Sequence, residues 1–107
     1  MAERSSRPIE SEELRRLRRK IDALDRRIVS LLNERAELGR AVGREKAANG
    51  RRTIRDAERE REVLLRVTMA NTGPIPQADL IAVYRRLIAV ARSLEARDRS
   101  RDGDATR

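Results

Sequence analysis

The stretch LRRLRRKIDALDRRIVSLLNERAELGRAVGREK, residues 14–46, decides the fold. Its apolar residues recur mainly in steps of three and four, the spacing of one face of a long α-helix that packs against another helix. Ser11 precedes the stretch and Asn49-Gly50 follows it, and these residue types are typical of helix starts and stops. We therefore predict a single helix between them. Its apolar face consists of Leu14, Leu17, Ile21, Leu24, Ile28, Leu31, Leu38 and Val42.

Two shorter helices are predicted downstream. The second begins around residues 53–56 and ends near Ala70, and the third runs from about Gln77 to Arg97. The segment NTGPIP, residues 71–76, separates them because its Gly and Pro residues interrupt a helix. No segment alternates apolar and polar residues with a period of two, so the predicted fold class is all-α, with three helices per chain.

The two ends of the chain lack apolar periodicity. Residues 1–10 and 98–107 are polar and charged, and we expect disordered tails on either side of one domain, residues 11–97. The N-terminal residues have no apolar region typical of a secretory signal, and the apolar runs are too short for a membrane span. We expect a cytoplasmic protein that makes no contact with membranes.

Composition restricts the chemistry that the chain can perform. The 107 residues include no His and no Cys, which excludes a Ser-His-Asp triad, a cysteine nucleophile and most transition-metal sites. With a single Tyr as its aromatic residue, the chain has no stacking surface for single-stranded nucleic acid. The net charge of +8 indicates an anionic partner, but it does not distinguish nucleic acid, a membrane surface and a small acidic metabolite.

The first helix is too long for one small chain to cover. At 1.5 Å per residue it measures roughly 55 Å, whereas a compact domain of this size has a radius of gyration of about 13 Å. We therefore predict an intertwined homodimer in which the long helices of two chains cover each other. The alternative is a helical hairpin with a half-solvated arm.

Two cations lie on the predicted core-facing side of the first helix. Arg35 occupies the heptad position between Leu31 and Leu38, and Lys46 projects in nearly the same direction, about 20° away around the axis. Lys20 and Lys46 are the only lysines among 26 Lys and Arg residues, which suggests a need for a compact ammonium group at residue 46. Alternatively, Arg35 specifies helix register and Lys46 interacts with the helix dipole.

Further ionic residues lie at or beside core-facing positions of the shorter helices. Glu60 lies beside the apolar line of the second helix, close to Asp56 and Arg59, and Glu95 continues an apolar line of the third. Each of these residues has a simpler interpretation: it lies where its helix end is exposed to water. Taken together with Arg35 and Lys46, they predict a mainly cationic pocket inside a helical bundle, suited to a small polyanion with a hydroxyl group and unsuited to nucleic acid.

The sequence resembles the all-helical (AroQ-class) chorismate mutases over residues 14–97. The shared motifs, in order, are L-R-x-x-I-D-x-L-D, E-R, G-x-x-K, R-D-x-x-R-E and S-L-E. The resemblance implies an interlocked dimer of three-helix subunits that rearranges chorismate to prephenate, on the route to phenylalanine and tyrosine. Such a reaction is concerted and needs no metal and no cofactor.

The resemblance also implies roles for individual residues. Arg18 and Arg35 would bind the substrate carboxylates, and Lys46 would donate a hydrogen bond to the ether oxygen of the breaking bond. Glu95, where many members carry Gln, would also face that oxygen and would have to be protonated to donate to it. Arg18 lies about 25 Å along the helix from Arg35 and about 100° around it, so we expect it to act in the partner subunit's site.

The remaining expected site residues lie on the second and third helices. By the same resemblance, Glu60 would accept a hydrogen bond from the ring hydroxyl of the substrate. Asp56 would lie nearby, and Arg59 would help orient both carboxylates. Ala91 stands at a substrate-contacting position where some members carry Ser. Three alternatives remain: an isochorismate pyruvate-lyase on the same scaffold, a basic nucleic-acid-binding dimer, and a weak mutase that needs a partner enzyme of the shikimate pathway.

Overall fold

The computed structural model describes residues 10–50 and 56–105, with side chains through Asp102. Three helices account for most of these residues, and no strand occurs among them: α1 (Glu12–Ala48), α2 (Ala57–Ala70) and α3 (Gln77–Ala105). The predicted all-α class and the order of the three helices are confirmed. Within the described ranges, no helix combines the length and the apolar content needed to cross a membrane.

The predicted helix boundaries have local causes in the structure. The Ser11 hydroxyl accepts a hydrogen bond from the amide of Leu14 at 3.0 Å, which begins α1. Gly50 adopts a positive φ of 75°, a conformation favourable to glycine, just after α1 ends. Asp56 caps α2 in the same way as Ser11 caps α1, because its carboxylate accepts a hydrogen bond of 3.0 Å from the backbone amide of Arg59.

The described residues divide into two compact units, one that ends at Glu34 and one that begins at Arg35. In the first unit, the apolar face of α1 is substantially exposed. The side chains from Leu14 to Leu31 along this face are 38–57% accessible to solvent. Apolar surface of this extent on one helix is typical of an interface.

In the second unit, α3 packs against α2 and against the end of α1. A β-carbon at Gly39 of α1 would lie 3.9 Å from Cβ of Ala91, so the two helices approach closely at small residues. Ile88 of α3, 9% exposed, is the only buried apolar residue in the described part of the chain. The apolar core of the second unit is therefore very small.

The prediction of a disordered C-terminal tail is wrong for most of its length. Residues 98–105, expected to be disordered, continue α3 as far as Ala105. Asp98 explains part of this extension: Nε and Nη2 of Arg40 each donate a hydrogen bond of 2.9 Å to its carboxylate. The predicted disordered N-terminal tail falls on residues 1–10, of which only Glu10 is described.

The Arg40–Asp98 pair generates a prediction about stability. The hydrogen bonds from Arg40 lower the pKa of Asp98 from its usual value, so the unfolded chain, where the pKa is about 3.9, binds a proton more readily. The pair therefore stabilises the fold at neutral pH, and this contribution is lost as the pH falls through the lowered pKa. We expect Asp98→Asn to lower the unfolding temperature at pH 7 by about a few degrees and to have little effect near pH 2.

The control is Asp102→Asn, which removes the same charge one helical turn further along α3. Thermal unfolding of both variants is followed by circular dichroism at fixed protein concentration. Equal shifts for both variants at pH 7 would contradict the assigned role of the Arg40–Asp98 pair.

Candidate active site

One cavity of about 340 Å³ in the second unit is bounded by α1, α2 and α3 together with the cap residue Asp56. The structure brings seven of the eight expected site residues to its lining. They are Arg35, Lys46, Asp56, Arg59, Glu60, Ala91 and Glu95. Its remaining lining residues are Leu38, Gly39, Val42, Val63, Ile88 and Arg92.

Lys46 and Glu95 face each other in this cavity from α1 and α3. The ammonium nitrogen of Lys46 lies 3.9 Å from Oε1 of Glu95, and the two side chains are only 18% and 15% exposed. An ion pair that is largely shielded from water interacts more strongly than one at the surface. The pair therefore places the ammonium group next to a carboxylate on the cavity wall.

Gly43 makes the position of Glu95 sterically possible. A β-carbon at residue 43 would lie 2.6 Å from Cγ and 2.9 Å from Oε1 of Glu95, well inside contact distance. Gly43 belongs to the G-x-x-K motif, but sequence analysis assigned no steric role to this glycine. Its spacing from Gly39, one helical turn earlier on α1, is the signal that suggests a close helix–helix approach.

Arg35 lies against the aromatic ring of Tyr84. Its guanidinium carbon is 5.7 Å from the ring centroid, within the range of a cation–π interaction. The aromatic face of Tyr84 on α3 therefore lies beside the guanidinium. Only the position of Tyr84 on the apolar face of its helix was predicted from the sequence.

The first turn of α2 contributes the remaining ionic residues. Asp56 is engaged as the helix cap, and the guanidinium of Arg59 pairs with Glu62, which is outside the cavity lining. Arg59 thus contacts Asp56 through its backbone amide rather than through its side chain. Glu60 lies 3.8 Å from Nε of Arg92, a residue that sequence analysis did not single out.

Ala91 and Arg18 complete the expected set. Ala91 has no polar side-chain atom, and its methyl group lies opposite Gly39, where a larger side chain would separate α1 from α3. Arg18 belongs to the first unit, where its guanidinium pairs with Glu10. Arg18 is not among the residues that line the cavity.

Comparisons with known proteins agree with this architecture. The sequence profile of the chorismate mutase type II family matches residues 17–96. A structure of chorismate mutase (form II) from Thermus thermophilus superposes with a TM-score of 0.75 at 31% identity, over 80% of this chain and 97% of that one. The form I structure from the same organism gives a TM-score of 0.70 at 30% identity, over 75% of this chain and 99% of that one.

Sequence relatives point to the same family. A bifunctional chorismate mutase/prephenate dehydratase from Aquifex aeolicus (strain VF5) is 40% identical over 88 residues, which is 78% of this chain and 24% of the relative. The enzyme of the same description from Stutzerimonas stutzeri is 32% identical over 90 residues, 80% of this chain and 25% of the relative. The chain thus spans about a quarter of the length of these relatives.

A three-helix chain whose ionic residues converge on one cavity defines a helical-bundle protein with a small polar site. The chain belongs to the chorismate mutase type II family. The family resemblance stated from the sequence motifs is confirmed.

Gly43 provides a test of this site. We expect Gly43→Ala to displace Glu95 and to disturb its pairing with Lys46, because the added methyl group overlaps Cγ of Glu95. A small misplacement in a site can cost up to roughly 100-fold in rate, so the catalytic rate at this site should fall at least about tenfold. Folding should be affected less, because alanine favours the helix over glycine by about 1 kcal/mol.

Gly39→Ala is the matched control, since it adds the same methyl group on the same helix at an ordinary contact distance of 3.9 Å. Steady-state kinetics and thermal unfolding are measured for both variants. Comparable turnover in the two variants would show that Gly43 is not needed to position Glu95.

Proposed function

We propose that the chain is an isomerase that rearranges chorismate to prephenate. The observation that supports this most directly is the convergence of seven expected site residues on one cavity that contains both cations and carboxylates. In this reaction the ether C–O bond of the substrate breaks while a new C–C bond forms within the same molecule. No proton, electron or group is exchanged with the protein.

Each ionic residue of the cavity has a role in this proposal. Arg35 binds a substrate carboxylate, with its guanidinium beside Tyr84. Lys46 donates a hydrogen bond to the ether oxygen, where negative charge develops as the C–O bond lengthens. Glu60 accepts a hydrogen bond from the ring hydroxyl. Glu95, as the carboxylate partner of Lys46, positions the ammonium group and does not itself donate to the ether oxygen.

The chemistry of such a site rests on restraint and electrostatics. The substrate ether is flexible, and fixing its two reacting ends in contact removes much of the entropic part of the barrier. A fixed ammonium group stabilises the developing charge without reorganisation during the reaction. The lack of His and Cys in the chain is compatible with this reaction, which requires neither a nucleophile nor a general base.

A homodimer is part of the proposal. The apolar face of α1 is 38–57% exposed from Leu14 to Leu31, and Ile88 is the only buried apolar residue in the described ranges. Because burial of apolar surface is the main force that stabilises a fold, a second chain that covers this face supplies what one chain lacks. In this dimer we assign Arg18 to the partner subunit's cavity, where it binds the second substrate carboxylate. A cytoplasmic location and a dependence on a partner enzyme of the shikimate pathway are predictions from the sequence.

The role of Lys46 has a direct test. We expect Lys46→Ala to lower kcat by at least about 100- to 1,000-fold, the usual cost of removing one donor that stabilises transition-state charge. The measurement is the loss of chorismate followed by ultraviolet absorbance. Lys20→Ala, which removes the only other lysine, is the control. Near-normal turnover in Lys46→Ala would rule out the proposed mechanism, and pyruvate release from isochorismate would favour a lyase instead.

The assignment of Arg18 to the partner's site is tested by complementation. Arg18→Ala and Lys46→Ala homodimers should each be nearly inactive, because every site lacks one essential cation. After subunit exchange, each mixed dimer contains one site with both cations and one site with neither. We expect activity to reappear on mixing; its absence, with mixed dimers demonstrated by mass spectrometry, would show that Arg18 acts in its own chain.

A further inference from the structure

The site residues expected from the sequence give the cavity lining little net positive charge. Its three carboxylates belong to Asp56, Glu60 and Glu95, and three of its cations were expected from the sequence: Arg35, Lys46 and Arg59. These six charges cancel. Arg18 of the partner subunit, which the proposed function assigns to this cavity, leaves a net charge of only one for a substrate with two carboxylate groups.

Two of the three expected cations are also paired with carboxylates of the protein. Lys46 lies 3.9 Å from Glu95, and Arg59 pairs with Glu62. Pairing of this kind reduces the positive potential that an incoming anion meets. The site therefore needs a further source of positive charge.

Arg92 adds one more cation to the lining from α3, and like Lys46 and Arg59 it faces a carboxylate. It lines the cavity, its Nε lies 3.8 Å from Oε2 of Glu60, and its side chain is 34% exposed while that of Glu60 is 20% exposed. The guanidinium is thus partly sheltered and faces the carboxylate to which the proposed function assigns the ring hydroxyl. With Arg92 and the partner subunit's Arg18 included, five cations face three carboxylates, an excess that matches a dicarboxylate substrate.

We propose that Arg92 is a further substrate-site residue, which adds to the positive charge of the cavity and holds the Glu60 carboxylate toward the ring hydroxyl. This inference rests on the proposed function, since it concerns the binding of the dicarboxylate substrate. Its effect falls on substrate affinity rather than on the bond-breaking step, because Arg92 attracts the ground state and the transition state alike.

Arg92 and Glu95 place opposite charges on the cavity wall from the same helix. The side chain of Glu95 places a carboxylate on the cavity wall, where it repels an anionic substrate. Arg92 offsets that carboxylate from a position on the same helix, three residues earlier. The two substitutions Arg92→Gln and Glu95→Gln should therefore have opposite effects on KM.

The first experiment compares Arg92→Gln with Arg86→Gln, which removes the same charge from an exposed position on α3 outside the cavity lining. For Arg92→Gln we expect KM for chorismate to rise about three- to tenfold at low ionic strength, with kcat changed less than about twofold. In high salt the increase should shrink, because salt screens charge interactions at partly exposed sites. Arg86→Gln should leave both constants close to those of the wild type.

Arg92→Lys and the double variant Arg92→Gln/Glu95→Gln complete the test. Arg92→Lys keeps the positive charge, so its KM should lie closer to the wild-type value than that of Arg92→Gln. The double variant removes one cation and one carboxylate, which restores the net charge of the lining, so its KM should also return toward the wild-type value. Equal KM values for Arg92→Gln and Arg86→Gln, or no recovery of KM in the double variant, would overturn the inference. An absence of turnover in the wild type would instead overturn the proposed function, so the two failures are distinguishable.

Discussion

The close approach of α1 and α3 is the contact on which the site depends. The two helices meet at Gly39 and Gly43, and at Gly43 the lack of a side chain leaves room for Glu95. Because Glu95 lies directly against the backbone of α1, its carboxylate comes within 3.9 Å of the Lys46 ammonium group. One helical turn away on each helix, the Arg40–Asp98 pair holds the same two helices together. A larger residue at position 43 would therefore change the chemistry of the cavity as well as the packing.

The second constraint is the shortage of buried apolar surface. Long helices in small proteins must find a covering surface, and the face of α1 from Leu14 to Leu31 has none within its own unit. The proposed dimer meets this constraint and, in the proposed function, also supplies the second arginine that binds a substrate carboxylate. If both are met by the same partner helix, folding and catalysis require the same association, and each site is complete only when two chains are present.

The features that sequence analysis predicted correctly are those with a local or periodic cause. The apolar face of α1, the cap at Ser11 and the break before Gln77 arise from residues a few positions apart, so spacing is enough to find them. Arg35, Lys46 and Glu95 stood out because charges interrupt an apolar line. Arg92 did not, because one more arginine carries little information in a chain with 26 Lys and Arg residues. The steric role of Gly43 and the helical continuation through Asp98 depend on contacts between distant parts of the chain, which periodicity does not report.

The ionic pairs of the cavity also explain why a site for an anion contains carboxylates. A cation that is left alone in a small cavity would be mobile and hydrated, and an arriving substrate would have to order it. Glu95 lies beside Lys46 at 3.9 Å and Glu60 beside Arg92 at 3.8 Å, so each of these cations has an anionic neighbour before substrate arrives. The pairs weaken the positive potential but supply order, so the lining needs more cations than carboxylates to retain attraction for a dianion. Positive charge elsewhere on the chain does not replace this local excess, since solvent and salt screen it over about 10 Å.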